Sequence, residues 1–173
     1  MDLPRDLPRV PFSGEVYRVS RAGDDPLSIA GSRAVGRRYN PPGEFGALYA
    51  SLVRETAVAE VARNLQRRGI PIDSISPGDF QAYALRLTLT EVLDLTDSRV
   101  LAQLHLSSES MCGDDVAITR QIGAAARSAG YQALLVPSAV RENSRNVVVF
   151  ADRLDEPIDI ISSESVDFAP PKP

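Results

Sequence analysis

Several residue types that carry enzyme chemistry are nearly absent from this chain of 173 residues. It has one His (His105), one Cys (Cys112), no Trp and one Lys, Lys172, next to the last residue. A structural zinc site takes about four Cys or His ligands and is excluded, and a catalytic zinc site is disfavoured. An intrachain disulfide, a P-loop and a Schiff-base lysine are excluded as well. We therefore expect a metal-free protein whose chemistry uses carboxylates, hydroxyls and guanidinium groups.

The distribution of charge and hydropathy excludes further classes. Residues 1–68 carry a net charge of +3 and residues 69–173 a net charge of −7, which is not the profile of a nucleic-acid-binding domain. No apolar run approaches the roughly 20 residues that span a bilayer, and the N-terminus has no apolar signal-peptide region. We expect a cytoplasmic protein that binds neither nucleic acid nor a membrane directly.

The pattern of strands and helices predicts one α+β domain with a mixed, mostly antiparallel sheet and flanking helices. Apolar alternation predicts strands at 15–19, 47–51, 80–95, 133–137, 146–150 and 158–161. Helical periodicity and capping residues predict helices at 54–68, from Ser98 to Leu104, and from Asp114 or Asp115 to Ala129 with Gly130 as the stop. The expected organisation is an N-terminal arm (1–12), a folded domain (13–168) and a Pro-rich tail (169–173).

A long Gly/Pro-rich segment before the second strand carries two adjacent arginines, Arg37 and Arg38, followed by Tyr39 and Asn40. Two guanidinium groups in one loop can bind a phosphate bidentately, and the Tyr and Asn can stack and donate hydrogen bonds. Composition alone favours a solvated basic loop, and the phosphate-binding interpretation stays open beside it.

Glu60 lies within the clearest predicted helix. The apolar stripe of that helix consists of Val58, Val61 and Leu65, and Glu60 projects nearly opposite to it. The helical wheel favours an exposed glutamate that contacts Arg63 at i+3. A catalytic role requires this polar face to line a cleft instead.

Two further polar residues adjoin predicted strands. Ser138 follows an apolar strand and could present its hydroxyl to a ligand or serve as a turn serine. Asn146, at the entry of the next strand, has the same two interpretations.

The order and spacing of these segments are more specific than any one of them. The chain resembles the RES-domain family over residues 15–155, through these blocks in order: Tyr17-Arg18, Gly36-Arg37-Arg38-Tyr39-Asn40-Pro41-Pro42-Gly43, Ala47-Leu48-Tyr49-Ala50-Ser51, Glu55-Thr56-Ala57-Val58-Ala59-Glu60, Val136-Pro137-Ser138-Ala139 and Arg145-Asn146-Val147-Val148-Val149-Phe150. The resemblance implies a fold like that of ADP-ribosyltransferase toxins and makes 13–168 an NAD-binding catalytic domain. It also implies the toxin of a bacterial toxin–antitoxin pair, with an Xre-type helix-turn-helix antitoxin that occludes the active site.

The resemblance also assigns roles to residues of this sequence. Glu60, Arg38 and Tyr49 are the expected catalytic residues, with Tyr39 standing where the family often has Trp. The expected NAD⁺-binding residues are Arg18, Arg38, Tyr39, Tyr49, Ser138 and Asn146. In this scheme Arg18 and Arg38 hold the pyrophosphate, and the Glu60 carboxylate stabilises positive charge on the ribose.

The fate of ADP-ribose stays open in the sequence. Transfer to water or phosphate would make the chain an NAD⁺ glycohydrolase or phosphorylase, and transfer to a protein would make it an ADP-ribosyltransferase. A hypothesis from a different class is a non-catalytic module that binds a nucleotide or anion through the Arg-rich N-terminal third.

Overall fold

A computed structural model describes residues 3–168 of the chain. The strands in this range are β1 (Val10–Arg21), β2 (Leu48–Ser51), β3 (Phe80–Asp94), β4 (Ala133–Pro137), β5 (Arg145–Val149) and β6 (Asp159–Ser165). The α-helices are α1 (Ala30–Val35), α2 (Arg54–Arg67), α3 (Ser98–Gln103), α4 (Ser108–Cys112) and α5 (Ala117–Ser128). Short 3₁₀ turns lie at Ile72–Ser74 and Ala151–Arg153.

The sheet closes on itself as a small barrel. Its strands follow the order β1-β2-β5-β4-β3, and β3 pairs back onto β1, while β6 extends the sheet beside β3. Among the described strands every pairing is antiparallel except that of β3 with β4. The expected α+β sheet is therefore present, but its closure was not predicted, because alternation within a strand does not report its neighbours.

The length of β3 makes this closure possible. One edge of β3 pairs with β1 along almost its whole length. The opposite edge pairs with β6 over Gln81–Arg86 and with β4 over Val92–Asp94. Closure is weakest between β1 and β2, which are joined by one residue pair, Tyr17 with Ser51. The pairing of β1 with β2 is therefore the shortest in the barrel.

Two main apolar clusters lie on the two faces of the barrel strands. One cluster takes a buried residue from each barrel strand: Val16, Leu48, Leu85, Leu135 and Val149. The other contains Leu93, Leu134, Val148 and Phe150 together with buried residues of α3 and α5. Adjacent residues of a strand point to opposite faces, so this division follows from the alternation itself.

Helix α2 packs across the barrel near the pairing of β1 with β2. Val58, Val61 and Leu65 pack in a third, smaller cluster with Phe80 of β3. The helix also buries Thr56 and Ala57, which do not belong to that stripe. A second face of α2 is thus turned toward the protein, and the helical wheel did not predict it.

Several predicted boundaries are revised by the structure. Strand β1 begins at Val10, inside the range expected for the N-terminal arm, because Val10 pairs with Val92. Asp97 rather than Ser98 caps α3, with its side chain accepting from Arg99 N. Gly130 follows α5 with a φ of +89°, as expected of a stop glycine.

Helices α1 and α4 were not predicted. Both are short and lie in Gly- and Ser-rich sequence without apolar periodicity. The expected Pro-rich tail, 169–173, lies outside the described residues. Between residues 3 and 168 the structure contains no helix that is long and apolar enough to cross a membrane.

Candidate active site

A cleft of about 410 Å³ is lined by residues of β1, β2 and α2 and of the loop before β2. Six of the seven predicted site residues line it, and they are separated by up to 128 positions in the sequence: Arg18, Arg38, Tyr39, Tyr49, Glu60 and Asn146. The seventh, Ser138, is not part of the lining but donates its hydroxyl to Glu60. The fold thus brings the dispersed candidates to one place.

The Glu60 carboxylate is held by two side-chain donors. Ser138 Oγ donates to Glu60 Oε1 at 3.0 Å, and Asn146 Nδ2 donates to the same oxygen at 2.8 Å. Glu60 is half-buried and forms no ion pair with Arg63 within the described chain, so the exposed, Arg-paired glutamate favoured by the helical wheel is wrong. Both bonds fall on Oε1, which leaves Oε2 as the oxygen available to a ligand.

Sheet register explains why these side chains meet. Asn146 pairs with Ser51 on one side and with Val136 on the other, and Ser138 follows Val136 by two residues. Helix α2 begins three residues after Ser51. The fully buried Thr56 fixes its first turn, which places Glu60, one turn later, on the same face.

Ser51 is a site residue that the sequence reasoning missed. It is 3% exposed, and its Oγ donates to Asn146 Oδ1 at 2.7 Å. This bond fixes which end of the Asn146 amide faces Glu60, because the amide oxygen is turned toward Ser51. The sequence offered one signal, a small polar residue at the end of a buried strand directly before a helix.

Arg18 is a half-buried cation on the β1 side of the cleft. Its Nη2 donates to Ser28 O at 2.8 Å, and in the described residues it has no carboxylate partner. Burial lowers the pKa of the Arg18 guanidinium, nearby Arg37 lowers it further, and Asp25 opposes the shift. Arginine stays charged in proteins, so Arg18 offers a partly desolvated positive charge to an anion.

The segment 36–43, here called the arginine loop, forms another part of the cleft. Arg38 Nη1 donates to Gly113 O at 2.6 Å and Nη2 to Cys112 O at 3.5 Å. A guanidinium carries five N–H groups, so Arg38 keeps donors for a ligand after these two bonds. Arg37 also lines the cleft with an exposed side chain, and it was not among the predicted site residues.

The Tyr49 hydroxyl fixes the arginine loop. It accepts from Tyr39 N at 3.0 Å and donates to Asn40 Oδ1 at 2.9 Å. The Asn40 amide in turn donates to Ser32 O at 2.8 Å and Phe45 O at 3.0 Å. Burial raises the pKa of Tyr49, so its hydroxyl stays protonated. Tyr49 therefore presents its ring to the cleft while its hydroxyl is engaged within the protein.

Tyr39 lines the cleft, but its side chain is too buried to stack on a ligand. The residue is 2% exposed, and its side chain belongs to the core cluster that contains Phe45 and Ile122. Its backbone lies against α5 at Gly123, where a Cβ would stand 1.8 Å from Tyr39 O. The backbone of the arginine loop is thus pressed onto the helix, and the ring points into the core. Burial raises the pKa of this tyrosine as well.

Helix α2 adds two more arginines to the cleft. Arg63 Nη1 donates to Ala139 O at 2.6 Å, and Arg67 Nη2 pairs with Asp114 Oδ1 at 2.9 Å. Within the described residues, the lining then has five arginines and one carboxylate, that of Glu60. Such a cleft attracts an anionic ligand.

The single His and the single Cys of the chain do not line the cleft. His105 is exposed, with a φ of +55°, and does not line the cleft. Cys112 is half-buried, with its Sγ 4.0 Å from Ser138 O. Over residues 3–168 no three His, Cys, Asp or Glu side chains are grouped so that they could hold a metal ion.

Comparison with known proteins gives consistent matches. The model of the RES domain matches residues 15–169. The NAD(+) phosphorylase MbcT of Mycobacterium bovis (strain ATCC BAA-935 / AF2122/97) is 30% identical over 130 residues, which cover 75% of this chain and 70% of the relative. The "Probable NAD(+) phosphorylase Rv3189" of Mycobacterium tuberculosis (strain ATCC 25618 / H37Rv) is 34% identical over 118 residues, 68% of this chain and 54% of the relative.

A solved structure has a similar fold. The crystal structure of the M. tuberculosis MbcT–MbcA toxin–antitoxin complex contains a chain that superposes with a TM-score of 0.80 at 26% identity. The match covers 91% of this chain and 86% of that chain. The likeness therefore includes nearly all of the barrel and its helices.

Proposed function

This chain belongs to the RES-domain family, and from that premise we propose that it is an NAD⁺-consuming toxin. Its reaction would break the bond between nicotinamide and ribose and pass ADP-ribose to inorganic phosphate. The observation that carries the proposal is the Glu60 carboxylate, oriented by Ser138 and Asn146 in a cleft whose other charged lining residues are arginines.

The chemistry needs the groups that this cleft offers. Nicotinamide leaves as a neutral molecule and takes the electron pair of the C1′–N bond, so its departure needs no general acid. The ribose then resembles an oxocarbenium ion, as in glycoside cleavage. A carboxylate fixed beside the developing positive charge stabilises that state, and Glu60 Oε2 is the oxygen assigned to this role.

The arginines are assigned to the pyrophosphate. Arg18 and Arg38 offer planar, bidentate donors on the β1 side of the cleft and in the arginine loop, and Arg37 joins them as a third cation. Tyr49 would contact nicotinamide or ribose through its ring alone, because its hydroxyl is engaged with Tyr39 and Asn40. Tyr39 supports the arginine loop from the core.

The Glu60 partners have roles that follow from their contacts. Ser138 and Asn146 each donate to Glu60 Oε1, so both fix the orientation of the carboxylate and leave Oε2 for a ligand. Asn146 also lines the cleft and can contact the ribose or nicotinamide, whereas Ser138 is 8% exposed and acts mainly through Glu60.

The choice of phosphate as acceptor follows the activity for which the relatives are named. MbcT is named an NAD(+) phosphorylase, and Rv3189 is named a "Probable NAD(+) phosphorylase". Water and a protein side chain are the competing acceptors, and an ADP-ribosyltransferase would need the latter. The likeness of the barrel to ADP-ribosyltransferase toxins is part of the same proposal.

We further propose an antitoxin partner that covers the cleft. The support is the similar chain in the MbcT–MbcA toxin–antitoxin complex. An Xre-type helix-turn-helix protein is the partner expected of this family, and NAD⁺ as substrate places the action in the cytoplasm. The toxin itself would contact neither nucleic acid nor a membrane directly.

Product analysis tests the proposal. Purified protein, freed of any antitoxin, is incubated with NAD⁺ in the presence and absence of inorganic phosphate, and with cell extract. We expect phosphate-dependent release of nicotinamide with ADP-ribose carrying phosphate at C1′. ADP-ribose alone would make water the acceptor, an adduct found on extract proteins by mass spectrometry would indicate a transferase, and intact NAD⁺ in all samples would refute the proposal.

A further inference from the structure

Arg63 is a half-buried cation beside Glu60 that has no carboxylate partner within the described residues. The two residues are one helical turn apart, a spacing at which Glu and Arg commonly pair. Here the Glu60 carboxylate binds Ser138 and Asn146 instead, and Arg63 Nη1 donates to the carbonyl of Ala139 at 2.6 Å. The guanidinium is therefore positioned but not neutralised.

The contacts place Arg63 close to the reacting end of the cleft. Ala139 directly follows Ser138, whose hydroxyl lies 3.0 Å from Glu60 Oε1. Arg63 and Ala139 both line the cleft. The unpaired guanidinium of Arg63 is thus bound to the residue next to Ser138, and Ser138 orients the proposed catalytic carboxylate.

The cleft also holds more positive charge than a dinucleotide needs. Arg18, Arg37 and Arg38 are the arginines assigned to the pyrophosphate, and Arg67 is paired with Asp114. Arg63 is left over, on α2 rather than on β1 or the arginine loop. A second anion that binds next to Glu60 would account for it.

We infer that Arg63 holds the acceptor phosphate during the reaction, an inference that rests on the proposed function. A phosphate oxygen would form the new C1′–O bond as the C1′–N bond breaks, and nicotinamide would leave with its electron pair. The guanidinium offsets the repulsion between the phosphate and the Glu60 carboxylate. Its fixed orientation on Ala139 leaves further N–H donors for a bidentate contact.

Steady-state kinetics of the Arg63→Gln variant with the full chain test this assignment. We expect the KM for phosphate to rise about tenfold or more, because a charge-assisted bidentate contact is lost. The KM for NAD⁺ should stay unchanged, and the product should shift from the C1′ phosphate toward free ADP-ribose. Arg63→Lys, which keeps the charge but not the planar fork, should restore part of the phosphate affinity.

Arg68→Gln is the matched control. It removes the same charge five residues later, at the C-cap of α2, where Arg68 is exposed and not part of the cleft lining. Both kinetic constants should match those of the wild type. An unchanged KM for phosphate in Arg63→Gln would overturn the inference, and an equal rise in the KM for NAD⁺ would place Arg63 at the dinucleotide instead.

A binding measurement separates this inference from the proposed function. Broadening of the ³¹P signal of inorganic phosphate is followed with the wild type and with Arg63→Gln in the presence of ADP-ribose, which fills the arginines assigned to the pyrophosphate and carries no nicotinamide to release. Loss of broadening in the variant supports the anion site even if the wild type never releases nicotinamide. Equal broadening overturns the site even if NAD⁺ is consumed.

Discussion

Two parts of the cleft are positioned in different ways. The Glu60 wall consists of Ser51 of β2, Glu60 of α2, Asn146 of β5 and Ser138 in the loop after β4. Hydrogen bonds between these side chains join it. The arginine loop is one continuous segment. The Tyr49 hydroxyl binds its backbone, the Asn40 side chain ties it to Ser32, and helix α5 packs against it at Gly123. One region is a network of side chains, and the other is a loop anchored by its backbone.

This difference predicts which substitutions change activity alone and which change activity and stability together. A substitution in the Glu60 wall can change a reacting group while the barrel register, which is made of backbone bonds, stays in place. A substitution at a residue that anchors the arginine loop, such as Tyr49 or Gly123, should move the backbone of several proposed ligand-binding residues together. The first kind should separate activity from stability, and the second kind should reduce both.

The largest expected effect is that of Glu60→Gln on the rate of NAD⁺ cleavage. The glutamine Oε1 can accept from Ser138 and Asn146 as before, so the melting temperature should stay close to that of the wild type. Nicotinamide release should fall about 10²-fold or more, because the negative charge facing the ribose is lost. Chromatographic quantification of nicotinamide measures this rate.

Glu55→Gln is its control. Glu55 lies on the same helix, in the first turn, with an exposed side chain. It should keep wild-type activity. Equal losses in both variants would mean that general charge on α2, rather than the Glu60 wall, determines the rate.

Gly123→Ala should affect the arginine loop and the fold together. In a helix this change ordinarily gains about 1 kcal/mol, so a loss is diagnostic. Here the added Cβ meets Tyr39 O at 1.8 Å, and overpacking of this kind costs about 1–3 kcal/mol or more. Chemical denaturation should show lower stability, and the KM for NAD⁺ should rise. Gly14→Ala, where a Cβ meets only Phe12 at 3.7 Å, should show neither effect.

Tyr49→Phe removes the hydroxyl that fixes the arginine loop. It leaves Tyr39 N and Asn40 Oδ1 without this partner, at a cost of about 1–3 kcal/mol for a buried unsatisfied group. The measurement is the unfolding free energy, together with the KM for NAD⁺. A variant with wild-type stability and affinity would contradict the anchoring role of this hydroxyl.

The same residue makes stability depend on alkaline pH. Burial raises the pKa of Tyr49 and of Tyr39 above the ordinary value of 10.0, so the folded state keeps protons that the unfolded state loses. Their contribution is complete below pH 10 and is lost as the pH rises above it. The melting temperature of the wild type should therefore fall above this pH, and less steeply in Tyr49→Phe.

Ser51→Ala should have the smallest of these effects, confined to the Glu60 wall. The Asn146 amide loses the donor that sets its orientation, and one neutral hydrogen bond is worth about 1 kcal/mol, or roughly a fivefold change in rate. We expect kcat to fall with little change in the KM for NAD⁺. Ser51→Thr keeps the hydroxyl and should recover part of kcat. A loss of stability without a change in kcat would make Ser51 merely structural.

Local sequence patterns predicted much of the fold. The alternation along β3, the apolar stripe of α2 and the stop at Gly130 depend on neighbouring residues, and the structure confirms all three. The arginine loop was likewise visible as a compact motif. These features need no knowledge of which distant segments pack together.

The orientation of single side chains could not be read in the same way. Glu60 faces the cleft because Thr56 and Ala57, which lie outside the apolar stripe of the helical wheel, are buried. Tyr39 points into the core because Gly123, 84 positions later, admits its backbone. Barrel closure and these contacts join residues far apart in the chain, and periodicity carries no information about them.

Above all, we propose that the cleft around Glu60 cleaves NAD⁺ rather than only binding it. A proton NMR time course of NAD⁺ with phosphate and the purified wild-type protein tests this step directly. We expect the nicotinamide signals of NAD⁺ to give way to those of free nicotinamide, in equal amount to the NAD⁺ consumed. Saturable NAD⁺ binding with the dinucleotide intact throughout would contradict it and would identify the chain as a non-catalytic nucleotide-binding module.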